Sequence, residues 1–251
     1  MAFKAPPRGN ILGYGKRLRA IAELLDEDVC YDVDAAFELF PKTANAKFDE
    51  SVDVAVRLGV DPRIADQMVR GAISLPHGIG KNVRVVVFAE GDAARAAEEA
   101  GADVVGGAEL VTKIQKEGWV EFDKAISTRA MMAKVGRLGR VLGPRGLMPN
   151  PKSGTVVAPD GVADVVKAVK SGRVDFRVDK AGIIHAPIGK SNMDASQIKD
   201  NFLSFLDRLV KLKPSSAKGS YIKSVGISST MGLNVRLDAN DVLKRAAEVG
   251  R

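Results

Sequence analysis

The hydrophobic period of this chain changes twice along its length, and that change limits the folds open to it. In residues 47–59, Val52, Val54, Val56 and Leu58 alternate with Ser51, Asp53 and Arg57. A period of two with one apolar and one polar set belongs to a strand with one buried and one wet face, the style of an antiparallel sheet. Val83 to Ala89 (Val-Arg-Val-Val-Val-Phe-Ala) is instead a nearly solid apolar run, as expected of a strand covered on both faces. An Ala-rich segment from Asp92 to Ala100 predicts a helix after it, then Ala102–Gly106 a strand, Glu109–Glu117 a helix and Phe122–Ile126 a third strand. Strands and helices alternating on short loops imply a parallel sheet with helices on its faces.

From Arg173 the half-wet style returns. Val174, Phe176 and Val178 alternate with Arg173, Asp175, Arg177 and Asp179, a turn is expected at Asp179-Lys180-Ala181-Gly182, and Ile184, Ala186 and Ile188 resume the apolar set. If these two runs pair as a hairpin with one shared apolar face, partner numbers sum to an even value, which sets His185 on the polar face opposite Arg177 or Asp175. Helical periodicity marks Ile11 to Cys30, Asp34 to Phe40 with a stop at Pro41, and Ser191 to Leu212 with Ile198, Phe202, Phe205 and Leu209 as its stripe. Tyr221 to Ser229 alternates again, turns at Thr230-Met231-Gly232 and continues through Leu233, Val235 and Leu237. One style at both ends and another between them predicts an α/β (α+β) chain of two parts. Residues 1–78 and 173–251 form a two-layer α+β domain whose antiparallel sheet draws on both chain ends, and residues 79–172 form an inserted parallel α/β domain.

Charge is as segregated as hydrophobicity. The net charge of the 251 residues is +7, yet residues 1–22 (Lys4, Arg8, Lys16, Arg17, Arg19) and 124–159 (Lys124, Arg129, Lys134, Arg137, Arg140, Arg145, Lys152) together carry +12 with no acid, leaving the rest at −5. Clustered charge makes a local positive field that attracts polyanions, so nucleic acid is the leading partner class. The five glycines and four prolines between Gly136 and Pro159 predict a loop or a loop-rich surface for most of the second cluster.

Enzyme signatures fail one by one. His77-Gly78-Ile79-Gly80-Lys81 is followed by Asn82 and preceded by Leu75, so it lacks the first glycine and the final hydroxyl of a phosphate loop, and no dinucleotide fingerprint follows Val83–Ala89. His77 and His185 are far apart in sequence, and the lone Cys30 can form neither an internal disulfide nor a cysteine-based zinc site. These features predict no cofactor, no metal, a reducing cytoplasm and, with no long apolar run, no membrane partner. The first 22 residues lack the apolar stretch of a secretory signal, and the first Ser or Thr is Thr43, unlike a transit peptide.

Six segments taken together resemble one family. They are Lys47-Phe48-Asp49-Glu50-Ser51, Leu75-Pro76-His77-Gly78, the run from Gly136 to Lys152 (GRLGRVLGPRGLMPNPK), Phe176-Arg177-Val178-Asp179-Lys180-Ala181-Gly182, His185-Ala186-Pro187-Ile188-Gly189-Lys190 and Ser228-Ser229-Thr230-Met231-Gly232. In this order and spacing they are similar to the bacterial-type large-subunit ribosomal protein L-one family over nearly the whole chain. The resemblance implies a non-enzymatic protein that is monomeric when free and binds large-subunit ribosomal RNA at the mobile stalk near the tRNA exit site. Its implied partners are the large ribosomal subunit, exit-site tRNA and, as a translational repressor, its own messenger RNA. It also implies that the inserted domain is Rossmann-like.

Motif by motif, the resemblance makes RNA-binding residues of Lys47, Phe48, Ser51 and Asp53, of Arg177, Asp179, Lys180 and His185, and of Ser229, Thr230, Met231 and Gly232. Alternation places Phe48 with the inward valines, whereas the resemblance places it against RNA; a strand that becomes regular only after Glu50 satisfies both. A positive φ is expected at Gly232, and residues 236–251 read as a tail beyond the usual end of the family. Two other classes are open on the residues alone. A nucleotide-using enzyme on the middle domain would need the missing glycine fingerprint, and a non-specific RNA chaperone would not discriminate among RNAs.

Overall fold

The computed structural model describes residues 15–25 and 29–249, so Lys4, Arg8 and the start of the expected first helix lie outside the described residues. In chain order the helices and strands are α1 (Lys16–Glu23), α2 (Val33–Thr43), β1 (Ser51–Leu58), β2 (Arg70–Ser74), β3 (Val85–Phe88), α3 (Asp92–Glu99), β4 (Val104–Gly106), α4 (Ala108–Glu117) and β5 (Lys124–Thr128). They continue as α5 (Met132–Val135), α6 (Gly139–Leu142), β6 (Val156–Val157), α7 (Val162–Lys170), β7 (Arg173–Arg177), β8 (Ile183–Lys190), α8 (Ala195–Lys211), β9 (Ile222–Ser229), β10 (Val235–Leu237) and α9 (Ala239–Val249). The described residues divide into two units, one running to Gly80 and resuming at Phe176, the other spanning Lys81–Asp175.

The first unit holds an antiparallel four-stranded sheet in the order β10-β9-β1-β8. Val52, Val54 and Val56 of β1 pair with Ile227, Val225, Ala186 and Ile184 or lie beside them, and all are buried. Helices α2, α8 and α9 pack on the sheet strands. Phe37 of α2 meets Phe202 of α8 with ring centroids 5.4 Å apart, and Val242 of α9 is fully buried. The described residues 236–249 are therefore no tail, because Val235–Leu237 adds an edge strand and α9 completes the helical layer. Asp34 of α2, paired with both Lys199 of α8 and Arg245 of α9, ties the three helices together.

The second unit is a parallel sheet in the order β4-β3-β5-β6. Its central strand β3 is buried along its whole length because it has a core on each face. Val86 and Phe88 pack with Leu110, Ile114, Val135, Leu138 and Leu142, while Val85 and Val87 pack with Ala93, Ala97, Val162 and Val166.

Several expectations need correction. Pro41 does not stop α2, which continues to Thr43; a proline removes only one intrahelical N–H, and the Thr43 hydroxyl and Ala44 N–H close the end on the Phe40 carbonyl. The first helix ends at Glu23, so Cys30 does not terminate it. The glycine-rich basic run opens as consecutive helical turns with Gly136, Gly139 and Gly143 in right-handed conformation. Val135, Leu138 and Leu142, spaced for one helix face, supply the burial that offsets the glycine penalty. The largest correction concerns pairing. Val178 and Ile184 form one isolated antiparallel bridge, after which β8 pairs with β1 and β7 with β2, so His185 lies opposite Ala55 and not Arg177 or Asp175.

Candidate nucleic-acid interface

One end of the four-stranded sheet is built around a buried carboxylate. Glu50, just before β1, is 1 % exposed. Its Oε1 accepts the Ala46 N–H at 2.9 Å and its Oε2 accepts the Met231 N–H at 2.8 Å. Burial alone would push its carboxyl up, but the Met231 N–H, then the Ser229 hydroxyl, the Ala46 N–H and the nearby Arg17 charge outweigh it and hold the carboxyl below the usual range. The turn after β9 is fixed again by Thr230, whose N–H donates to the Ser51 carbonyl and whose Oγ1 accepts the Ser51 N–H, both at 3.0 Å. Arg17 of α1 reaches over the same turn, donating to the Met231 carbonyl at 2.6 Å and to Asn45 Oδ1 at 2.9 Å.

Two large apolar side chains stand out of this rigid assembly. Phe48 is 55 % exposed and Met231 51 % exposed, with Lys47 exposed beside Phe48. Regular pairing starts at Ser51, so the alternation of β1 does not extend to Phe48 and the inward placement is set aside. Gly232 does not have a positive φ. The constraint there is contact, because a Cβ would lie 2.3 Å from Ser229 Oγ and 3.3 Å from the Thr43 carbonyl oxygen. Ser229 itself is buried, so its place is under the turn and not on its surface.

The second group is carried by β8 and the turn before it. Asp179 Oδ1 accepts the N–H groups of Ala181 and Ile183, both at 2.8 Å, and Gly182 takes φ +78° to close the turn. The Ile183 N–H leads in holding the Asp179 carboxyl below its usual range. Lys180 is thereby presented at the exposed apex, and Arg177 is exposed, its one polar side-chain contact among the described residues being the Met68 sulfur. His185 lies 4.0 Å from Asp179 and on the same sheet face as Asp53, whose carboxyl burial pushes up and the His185 charge partly restores. The expected residues thus form two groups, Lys47, Phe48, Ser51 and Ser229–Gly232 at one end, and Arg177, Asp179, Lys180 and His185 at the other, with Asp53 between them. Glu50 and Asn45 were not singled out by the sequence, and Arg17 only as part of the basic cluster, since the bonds that join them to the turn at Met231 and to each other's segments span 28 to 214 residues.

In the second unit, Lys134 pairs with Glu90 and Lys124 with Asp175, whereas Arg129, Arg137, Arg140 and Arg145 are exposed with no acidic partner among the described residues. His77, which the sequence left without a role, has its N–H bonded to Asn201 and its ring 3.3 Å from Asp200. Among the described residues no group of three His, Cys, Asp or Glu side chains is placed to hold a metal ion, and no helix is long and apolar enough to cross a membrane.

Residues 41–233 match the model of the Ribosomal protein L1p/L10e family. The chain belongs to this family. As a member it is a ribosomal, RNA-binding protein of the large subunit, and the mixed architecture of one antiparallel and one parallel sheet is that of the two-domain family fold. The family is structural and not enzymatic. All twelve expected contact residues fall inside the matched span, while Arg17 and the helix α9 fall outside it.

Proposed function

We propose that the chain binds large-subunit ribosomal RNA through the Glu50-centred turns and the Arg177–His185 row, at the mobile stalk near the tRNA exit site. The observation that carries this reading is the exposure of Phe48 and Met231 on turns locked to a single buried carboxylate. An apolar side chain held rigidly in water gains nothing until a partner covers it, and the edges and faces of unstacked bases and riboses are suitable covers. Thr230 and Gly232 let backbone groups come close to 2′-hydroxyls, and Lys47, Arg177 and Lys180 supply phosphate contacts. The same surface would take a messenger segment of matching shape, so translational repression follows from competition between the messenger and ribosomal RNA. Contact with exit-site tRNA belongs to the same proposal, with the exposed arginines of the second unit as its candidate surface.

The test is binding to large-subunit ribosomal RNA and to unrelated RNA of equal length, for the parent and for Phe48→Ala and Met231→Ala. Both side chains are exposed, so folding stays intact and the ribosomal RNA preference falls at least tenfold. Equal affinity for both RNAs in the parent would instead describe a non-specific chaperone. Addition of the leader of its own messenger as competitor checks the repressor role, and crosslinking to deacylated tRNA on ribosomes checks the exit-site role.

A further inference from the structure

The open face of the four-stranded sheet continues away from the turns into a concavity of about 840 Å³ at the far end of β1, β9 and β10. Its floor is low because Ala55, Gly226 and Arg236 are paired side by side across three strands, and the Gly226 position has room for no side chain beyond the neighbouring Asn234. Arg57 of β1 and Lys223 of β9 stand at its rim, both exposed. Lys223 is there because the β1–β9 register slips between Arg57 and Leu58, making Lys223 the extra residue of a bulge. Bulges re-aim side chains, and this one sets a second cation near Arg57, which pairs with Ser224.

What sets the concavity apart is that two unpaired cations share its rim, since the helical layer carries both paired cations and exposed ones, such as Arg208 and Lys244, that have no ion pair among the described residues. On the helical layer, Lys199 and Arg245 share Asp34, and Lys211 pairs with Asp207. Arg57 and Lys223 have no ion-pair partner among the described residues, and Asp238 is the one carboxylate that lines the concavity. None of the described residues that line it is aromatic, so these offer charge, hydroxyls and amides but no stacking platform. From Ser51 to Arg57 the face runs about 20 Å at a strand rise of ~3.4 Å per residue.

We propose that this concavity is a further subsite, beyond the Glu50 turns and the Arg177–His185 row, for the phosphodiester backbone of the bound RNA, with Arg57 and Lys223 as its phosphate contacts and Arg236 across the floor from them. It rests on the RNA-binding reading given above and adds to it a division of labour. The turns supply discrimination, and the far end of the sheet supplies backbone affinity without discrimination, because phosphates carry no sequence information.

The experiment measures affinity against salt for large-subunit ribosomal RNA and for an unrelated duplex RNA, using Arg57→Ala/Lys223→Ala, the charge-keeping Arg57→Lys/Lys223→Arg, and Met231→Ala. A helical-face control, Arg208→Ala/Lys244→Ala, removes the same charge. Each lost phosphate contact lowers the log–log salt slope by roughly 0.7–0.9. The expected result for the Ala pair is a slope shallower by about 1.5 and an affinity lower by the same factor, roughly tenfold, for both RNAs. The charge-keeping pair restores both, and the control changes neither. An unaltered slope in the Ala pair, or an equal change in the control, overturns the subsite while a weakened Met231→Ala leaves the turn interface standing. If Met231→Ala also binds like the parent, the interface itself is wrong and the subsite falls with it.

Discussion

Glu50 and Met231, 181 residues apart in the chain, are joined by one hydrogen bond of 2.8 Å from the Met231 N–H to a carboxylate that is 1 % exposed. The other oxygen of that carboxylate holds Ala46, so the segments that carry Phe48 and Met231 are positioned by one side chain. Glu50→Ala strands two N–H donors, each costing roughly 1–3 kcal/mol, and is expected to destabilise the protein by about 2–4 kcal/mol in denaturant unfolding. Glu50→Gln keeps only one acceptor oxygen and falls between. Ribosomal RNA affinity falls in the same order, and a variant that unfolds at the parent's midpoint would remove the carboxylate from this role.

The same carboxylate sets an acid limit. Its folded-state pKa lies below the ordinary 4.5, so its contribution is fully present above that value and is lost as pH falls through the folded pKa. Asp34, lowered first by its bond to Lys199 and then by Arg245, and Asp179, lowered first by the Ile183 N–H, act with the same sign. Unfolding free energy is therefore expected to decline as pH drops below about 5, and to decline less steeply in Glu50→Ala than in the parent. Parallel profiles for the two proteins would show that Glu50 does not titrate with folding.

Gly232 gives a test of contact against conformation. Because a Cβ would meet Ser229 Oγ at 2.3 Å and the Thr43 carbonyl oxygen at 3.3 Å while the backbone is not left-handed, the strain of Gly232→Ala falls mainly on one movable side-chain atom, with the backbone contact the smaller part. Gly232→Ala is expected to weaken ribosomal RNA binding several-fold with the fold intact by circular dichroism. Adding Ser229→Ala recovers most of it, since the remaining Ser229 Cβ lies at an ordinary 3.5 Å. Additive losses in the double-mutant cycle would mean that the turn needs glycine for another reason.

Asp53 has the opposite electrostatic sign to Glu50. Burial leads and pushes its carboxyl up, with the His185 charge partly offsetting it, so the ionised form opposes folding above the folded pKa. On a partly exposed strand face this is small, and Asp53→Asn is expected to gain about 0.5 kcal/mol or less at neutral pH and nothing at low pH. As an acceptor for RNA hydroxyls or amines, Asn keeps binding within threefold while Asp53→Ala loses about tenfold. An Ala variant that binds like the parent would make Asp53 a bystander.

What the sequence shows and what it hides follow from the range of each interaction. Alternation is local, and it identified the buried faces of β1 and β8 down to Val52, Val54, Val56, Ile184, Ala186 and Ile188. Parity is local too, and the single Val178–Ile184 bridge obeys it, but it cannot choose between β7 and β1 as the partner of β8. Glycine count misled at residues 136–143, where the burial of Val135, Leu138 and Leu142 outweighs a backbone preference of about 1 kcal/mol per glycine. Phe48 and Met231 were readable as site residues only through their motifs. Glu50 was quoted in one of those motifs and still escaped, because nothing near it in sequence reveals that its second oxygen will be buried against an N–H group 181 residues away.

The chain leaves the first unit after Gly80, and just before that the fully buried Asn201 of α8 accepts the His77 N–H at 3.0 Å and donates to the Gly78 and Ile188 carbonyls at 2.8 Å. It returns through β7, where Phe176 packs edge-on against Phe205 with centroids 5.3 Å apart. Both points are held by α8, so a shortened chain should keep β7 whole and replace residues 81–172 with a Gly/Ser linker. Asp175 would lose Lys124 and is best changed to Asn in the same chain. The expected product is soluble and folded and still prefers large-subunit ribosomal RNA, because Phe48, Met231, Lys180 and His185 are all retained. Its total affinity drops by at most ~2 kcal/mol, at one tenfold step per 1.4 kcal/mol, through the lost phosphate contacts of Arg129, Arg137, Arg140 and Arg145. A shortened chain that folds but binds all RNAs equally would place specificity in residues 81–172 and overturn the assignment of the site to the first unit.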